Sequence, residues 1–487
     1  MPVTCFWFPS SCFSASRHVA VPAPAYNSTV SSFYVENFGC RATQADGAAL
    51  EQQLRAQGLH AAAEPGAAQV VVLNTCTVTA AADQDARAAI RRIYRANPGC
   101  QILVTGCYAQ RAPDEIASLP GVRWVVGNSH KHQIAELVVR DVAGNISGAN
   151  GAGAANFVPV SSLQPSGSPG ASLLVGDIFA HTELLAAPVF DALSERTRPN
   201  LKVQDGCNNR CSFCVIPYVR GRSRSLPLEE VINQVNHLVA AGYREVVISG
   251  INLGRWGRDL RPQLRFPVLV RAILQQTNLE RLRLSSIEPM DWSDELIELA
   301  AGSPRIAKHA HVPMQSGSDH ILRRMHRKYR PWHYAQRLQK IREAMPTAAI
   351  GADVMVGFPG ESEADFKQTQ AMVEELPFTY LHVFTYSARP GTPAATLPEQ
   401  VPVTVAHERN RVLREMAAQK KLAFQRSFLG KELQAITLSR YDGERTEALT
   451  DNYLKLRVAG RHAPNLWLLA NIESVSSGEL LGSVVSV

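Results

Sequence analysis

No apolar run of about 18 residues, the length that crosses a bilayer as a helix, occurs in this chain, so no membrane span is expected. There is no basic residue before Arg17, and the early apolar stretch is broken by Pro9 and serines. Pro22-Ala-Pro-Ala-Tyr imitates a cleavage site but lacks the charged start of an export signal, so the expected location is the cytoplasm. An excess of one charge is also missing. Lys and Arg number 50 against 43 Asp and Glu, a net +7 over 487 residues, so the chain is no bulk polycation and phosphate contacts must come from local runs. The short cysteine loop at 207–214 is followed by no second cysteine or histidine pair, the usual completion of a structural zinc site.

That loop carries the chemistry. Cys207, Cys211 and Cys214 stand in Asp205-Gly-Cys-Asn-Asn-Arg-Cys-Ser-Phe-Cys, directly after a strand-like run at 201–204. Three thiolates at this CxxxCxxC spacing can hold three irons of a cubane cluster, and without a fourth cysteine one iron stays open. The other cysteines are Cys5, Cys12, Cys40, Cys76, Cys100 and Cys107. Cys40, Cys76 and Cys107 each end a short β-rich apolar run, and helix-like stretches follow at 44–57, 80–96 and 112–118. Repeated strand, loop and helix predict an open parallel sheet, in which ligand sites lie beyond the carboxyl ends of the strands. The three cysteines can therefore meet, as ligands of a second cluster or as three inert buried thiols. Cys100, in Asn97-Pro-Gly-Cys before its strand, reads as structural.

The middle of the chain alternates. Strand-like runs at 244–250, 281–287, 309–314, 350–358 and 380–387 are separated by helical patterns at 227–241, 293–301, 332–344 and 363–376. With the strand before Cys207 they predict about six β/α units in a partial barrel, with Gly250, Glu288, Gln315 and Gly357 at the active carboxyl ends. From Glu432 onward, short alternating pieces predict a small antiparallel β-barrel. Two dense basic runs could neutralise phosphates: Arg323-Arg-Met-His-Arg-Lys-Tyr-Arg, and the stretch 409–431 with Arg409, Arg411, Arg414, Lys420, Lys421, Arg426 and Lys431. Solvated helix faces are the alternative reading of both. The expected organisation is a disordered or untranslated extension at 1–32, the sheet domain at 33–140, a Gly/Ser/Pro-rich linker at 141–200, the barrel at 201–426 and the β domain at 427–487.

Several motifs together resemble the radical S-adenosylmethionine (SAM) methylthiotransferases: Asn74-Thr-Cys-Thr-Val-Thr, Thr105-Gly-Cys-Tyr-Ala-Gln-Arg, Val126-Gly-Asn, Gln204-Asp-Gly-Cys-Asn-Asn-Arg-Cys, Gln315-Ser-Gly-Ser-Asp, Gly357-Phe-Pro-Gly-Glu and Tyr386-Ser-Ala-Arg-Pro-Gly-Thr. The resemblance runs from about Phe33 to the end. It implies a Rossmann- or flavodoxin-like sheet domain, a partial (β/α)6 radical SAM barrel and a TRAM-like RNA-binding barrel. It further implies two [4Fe-4S] clusters, one on Cys40, Cys76 and Cys107 and one on Cys207, Cys211 and Cys214, with SAM bound at the open iron of the latter. Phe213 fits the family's cluster loop, and position and resemblance together place Gly250, Glu288 and Gly357 around SAM.

Ser249-Gly-Ile-Asn-Leu-Gly-Arg-Trp-Gly-Arg-Asp and Arg281-Leu-Arg-Leu-Ser-Ser-Ile-Glu-Pro look like the branch that modifies threonylcarbamoyladenosine at tRNA position 37. The other branches act on isopentenyladenosine at that position or on a ribosomal-protein aspartate. The implied partners are a tRNA anticodon stem-loop, a reducing electron donor and a sulfur source. A non-enzymatic iron–sulfur RNA-binding sensor is the opposing class. The chain departs from the family around the first cysteine, with Thr43 and Gly47 in Cys40-Arg-Ala-Thr-Gln-Ala-Asp-Gly where an Asn and an acidic-Ser pair are usual.

Overall fold

The computed structural model describes residues 32–144, 171–181, 184 and 197–486; the expected amino-terminal extension and most of the expected linker lie outside them. Val70-Val-Val-Leu is buried on both faces, as a central parallel strand requires, and a sheet forms around it. In chain order this unit runs β1 (Ser32–Asn37), α1 (Arg41–Ala56), β2 (His60–Ala61), β3 (Val70–Thr75), α2 (Ala80–Ala96), β4 (Gln101–Gly106), α3 (Cys107–Arg111), α4 (Pro113–Ala117), β5 (Val122–Gly127), α5 (Ile134–Gly144) and β6 (Ser172–Leu174). The strand order is β2-β1-β3-β4-β5-β6, parallel throughout. Asn37, Asn74 and Thr105 are in register, so the loops carrying Cys40, Cys76 and Cys107 leave one edge together. Separate apolar layers, one around Leu50, Trp124 and Val138 and one around Ile90, Ile93 and Tyr108, cover the two faces.

Two details differ from expectation. Part of the expected linker, Ser172-Leu-Leu, pairs with β5 as the sixth strand; three residues among Gly and Ser are too short to show a period. The helix expected at 112–118 is present as α4, but an unexpected short helix, α3, precedes it and is divided from it at Ala112, because Pro113 has no N–H to continue the first and starts the second.

The central unit comprises β7 (Asn200–Asp205), α6 (Ile216–Arg220), β8 (Arg224–Ser225), α7 (Leu228–Ala240), β9 (Glu245–Gly250), α8 (Phe266–Gln276), β10 (Arg281–Leu284), α9 (Asp294–Gly302), β11 (His309–His311), α10 (Asp319–Arg324), α11 (Pro331–Ala344), β12 (Ala349–Val356), α12 (Glu363–Glu375), β13 (Tyr380–Thr385) and α13 (Val403–Arg426). The six expected β/α strands are present, but as two sheets, β10-β9-β7-β8 and β11-β12-β13, joined by one bridge between Leu282 and Ile306. Some strands are shorter than expected. β11 stops before Pro313, which has no ladder donor, and β12 stops before Gly357, which turns the chain at φ +74°.

Leu201, Val203, Val246 and Ile248 pack in one core with Val231 and Val235 of α7, so Asn200, Lys202, Gln204 and Val247 face the lumen. Likewise Leu381 and Val383 pack with Val412 and Met416 of α13, leaving Tyr380, His382 and Phe384 on the lumen side.

The last unit, β14 (Glu432–Tyr441), β15 (Arg445–Thr450), β16 (Lys455–Ala459), β17 (Trp467–Ser476) and β18 (Glu479–Ser486), closes as a barrel in the order β14-β15-β16-β18-β17. It covers the amino ends of the central strands. Arg283 donates to the Thr450 and Asp451 carbonyls, Asn452 to the Thr347 carbonyl and Asn465 to the Gly242 carbonyl. Among the described residues no helix is long and apolar enough to cross a membrane.

Candidate cluster-binding centre

Two left-handed glycines bring the amino-terminal cysteines together. A Cβ on Gly39 (φ +98°) would lie 2.5 Å from the Cys76 Cβ and 2.8 Å from its Sγ, and one on Gly106 (φ +98°) would lie 2.3 Å from the Thr75 carbonyl oxygen. Only glycine allows these loops to touch. Cys40 is exposed at the start of α1, Cys76 is buried past the end of β3, and Cys107 is buried at the start of α3. Asn128 donates to the Cys107 Sγ (3.6 Å) and to the Val219 carbonyl (2.7 Å), and Thr43 Oγ1 lies 3.6 Å from the Cys40 Sγ. Burial, with Cys107 alongside, pushes the Cys76 thiol up to about 11.

The second triplet lies next door, since Cys107 packs with Val215 and Val219, which follow Cys214 directly. The Cys207 Sγ accepts the Asn209 N–H (3.3 Å) and Asn252 Nδ2 (3.5 Å), and the Cys211 Sγ accepts Arg327 Nη1 (3.2 Å). Burial and the neighbouring Cys211 push the Cys214 thiol up to about 12. The loop is pinned by Ser212, whose N–H and hydroxyl donate to the Met325 and Arg324 carbonyls. Phe213 meets Phe358 edge-on at 6.4 Å, and Phe358 meets Tyr386 at 5.4 Å. Glu288 pairs with Arg327, the arginine on Cys211. Gly250 ends β9 against Gln204, where a Cβ would lie 2.9 Å from the Gln204 Cβ. The glycine at 357 is required twice over: its φ is +74°, and a Cβ there would sit 2.5 Å from the Ala406 Cβ of α13.

Among the described residues no three His, Cys, Asp or Glu side chains converge on a point that could hold one metal ion. A cubane spreads its thiolates over separate irons, and a triplet of free thiols with N–H donors aimed at sulfur fits such a cluster with one iron left open.

Residues 32–127 match the model of Uncharacterized protein family UPF0004, and residues 201–373 match the Radical SAM superfamily. The threonylcarbamoyladenosine tRNA methylthiotransferase MtaB of Bacillus subtilis (strain 168) is 37% identical over 428 residues, 87% of this chain and 89% of that protein. The chain belongs to the radical SAM methylthiotransferases, on their threonylcarbamoyladenosine branch. Its counterpart in Aquifex aeolicus (strain VF5) is 36% identical over 427 residues, 87% of this chain and 96% of that one. Among solved structures, the radical SAM methyltransferase TsrM from Kitasatospora setae shares the fold, with a TM-score of 0.53, 15% identity and coverage of 75% and 74% of the two chains. As a radical SAM methylthiotransferase, the enzyme uses SAM and two [4Fe-4S] clusters.

In this methylthiotransferase the two cysteine triplets are joined by a buried charged network. Asp46 of α1 pairs with Lys131 (2.9 Å), Arg220 (3.1 Å) and Lys202, and Asp205 pairs with Arg220 (3.0 Å), Lys202 (3.2 Å) and Arg224 (3.7 Å). These six residues line a cavity of about 150 Å³. Burial alone would raise the Asp46 carboxyl, but Lys131, Lys202 and Arg220 outweigh it and hold it at about 2. Four cations against two carboxylates leave positive charge beside Cys40 and Cys107, as an anionic thiolate cluster requires. A second tie joins Asp83 to Arg111 (2.9 Å) and to Arg389 of the Arg-Pro-Gly-Thr motif.

Asp46, Asn128, Arg220, Asn252 and Arg327, which touch cysteine sulfurs or form the charged network beside them, were missed by sequence reasoning. Arg327 did lie within the first basic run, and the arginines of that run are paired with acids. Arg323 and Arg330 pair with Asp319, Arg324 with Glu399, and Arg327 with Glu288. In the second run Arg409 is buried on Glu361 and Arg411 is bound by Glu408 and Glu415. The neutralising acids are mostly supplied by other stretches of sequence, so a count within the run overstates its charge.

Proposed function

We propose that this enzyme converts N6-threonylcarbamoyladenosine at position 37 of tRNA to its 2-methylthio derivative, with Cys207, Cys211 and Cys214 holding the SAM-binding cluster and Cys40, Cys76 and Cys107 the second cluster. The observation that carries this reading is the convergence of both triplets on one side of one barrel, with Cys107 packed against the residues that follow Cys214. When bound, the clusters and SAM supply radical formation and methyl transfer to sulfur, which protein side chains cannot.

The chain's own residues orient and shield. Asn252 and Arg327 aim N–H groups at the Cys207 and Cys211 sulfurs, and Glu288 holds Arg327 in place. Phe213, Phe358 and Tyr386 form an aromatic wall beside the loop that keeps water from a reactive radical. Gly250, Glu288 and Gly357 border the SAM pocket in this reading. The domains are read as 33–140, 201–426 and 427–487, the last a TRAM-like module for the anticodon stem-loop. A reducing electron donor and a sulfur source complete the reaction, and free thiols suit the reducing cytoplasm.

The test is the anaerobically reconstituted enzyme with SAM, reductant, sulfide and an anticodon stem-loop RNA carrying threonylcarbamoyladenosine. Mass spectrometry should find the 2-methylthio nucleoside. Product only from a dimethylallyladenosine RNA, or none despite SAM cleavage, would sink the reading.

A further inference from the structure

The floor of the lumen holds a cavity of about 280 Å³ lined by Arg41, Gln44, Thr197, Arg198, Asn200 and Val247, with Leu438 of the carboxyl-terminal barrel at its edge. Asn200 and Val247 belong to the lumen face of β7 and β9, and Arg41 directly follows Cys40, so the cavity adjoins the amino-terminal cysteine triplet. Its charge is one-sided. Arg198 reaches Glu245 at 3.5 Å, but Arg283 (2.7 Å) and Arg281 (3.8 Å) share that carboxylate, and Arg41 has no carboxylate partner among the described residues. Arg41 donates to the Tyr453 hydroxyl at 3.4 Å. The Tyr453 ring lies 4.7 Å from that of His309 and closes the floor from the left-handed backbone conformation (φ +65°), an arrangement held by the turn around it.

Two buried polar atoms in this cavity lack a partner. Thr197 and Asn200 are each 7% exposed, yet among the described residues Thr197 Oγ1 and Asn200 Oδ1 make no hydrogen bond. The Asn200 amide is oriented, since its Nδ2 donates to the Arg41 carbonyl at 3.0 Å, so the free atom is the acceptor. Buried orphans of this kind cost stability unless a ligand completes them. A ligand that completes both would bring an anion for the guanidinium groups and a donor for Asn200 Oδ1.

We propose that this cavity is the specificity pocket for the amino-acid substituent of the nucleoside, with its carboxylate on Arg41 and Arg198 and its hydroxyl or N–H on Asn200 and Thr197. A planar carboxylate matches the guanidinium fork, and a threonyl group also carries the hydroxyl and amide N–H that the orphans lack. A prenyl substituent offers none of these. The inference rests on the threonylcarbamoyladenosine reading. An RNA backbone phosphate shares the anionic oxygens but belongs to every tRNA, and the experiment separates the two.

The experiment measures binding of the reconstituted full-length enzyme to two stem-loop RNAs, one with the free threonyl carboxylate and one with its methyl ester. The wild type should prefer the acid by about 10- to 100-fold, the worth of a charged hydrogen bond. R41Q should bind both RNAs with the ester's affinity, and R41K should keep part of the preference. T197V, far in sequence from every cysteine, should cut it by about 3- to 10-fold with iron content unchanged. Equal affinity of the wild type for acid and ester overturns the proposal. So does an R41Q that weakens both RNAs equally, the mark of a phosphate contact. Failure of the functional reading shows separately, as no 2-methylthio product from the acid RNA with the wild type; it removes this inference with it.

Discussion

Replacing Asp46 by Asn tests the junction between the amino-terminal sheet and the barrel. Asp46 is 2% exposed and is the carboxylate partner of Lys131, Lys202 and Arg220. The neutral amide leaves Asp205 alone against four buried cations. Two routes give the magnitude. Holding the carboxyl at about 2 instead of 3.8 corresponds to roughly 2–3 kcal/mol of favourable interaction. Removing one partner of a buried network costs about 3–5 kcal/mol, because the stranded charges also lose their compensation. A loss of about 2–5 kcal/mol is therefore expected, localised where α1 meets β7.

The assay is anaerobic urea denaturation, followed by hydrogen exchange of the amides in α1 and β7, because a chain of three units need not unfold in one step. Asp294→Asn is the control. That exposed carboxylate pairs with Arg337 and Lys340 at the surface, and its loss should leave the midpoint unchanged. An Asp46→Asn variant as stable as this control would refute the electrostatic account of the junction.

Acid should act on the same groups. Asp46, Asp205 and Glu245 are all held below their ordinary values by arginine and lysine neighbours that outweigh burial, so their stabilisation is complete above the ordinary carboxylate range and drains away as pH falls below it, for Asp46 through about 2; Asp46→Asn should flatten that slope in acid titrations followed by tryptophan fluorescence. Alanine at Cys207, Cys211 or Cys214 should lower iron by about four atoms per chain and abolish 5′-deoxyadenosine formation. Alanine at Cys40, Cys76 or Cys107 should remove a similar amount of iron yet leave SAM cleavage. Gly106→Ala should cost at least about 2 kcal/mol and release iron from the second cluster alone, since the new methyl meets the Thr75 backbone at a left-handed position; iron analysis and thermal melts check both parts.

The placement of both cysteine triplets was legible because its signal is local: fixed spacing in one case, strand-end position in the other. Parallel pairing of β1, β3 and β4 followed from apolar runs alone, and the register of Asn37, Asn74 and Thr105 then set their cysteines side by side. The division of the barrel into two sheets was not legible, because it depends on which strands reach a neighbour, and Pro313 ends one of them. Arg327 read as part of a phosphate-binding run; its salt bridge to Glu288, 39 residues away, is a tertiary fact. The Asp46–Lys202–Arg220 network was invisible for the same reason, since its members are spread along the chain and each alone looks like a surface charge. For Gly357 the strand-end position was legible, but its close approach to Ala406 of α13 was not, because that neighbour lies 49 residues further along the chain.

The most direct test of the central claim is nucleoside mass spectrometry of tRNA from cells with and without this gene. The account predicts that 2-methylthio-threonylcarbamoyladenosine disappears while its unthiolated precursor accumulates and 2-methylthio-isopentenyladenosine is unchanged. An unaltered profile for the threonylcarbamoyl nucleoside, or loss of the isopentenyl one instead, would contradict it.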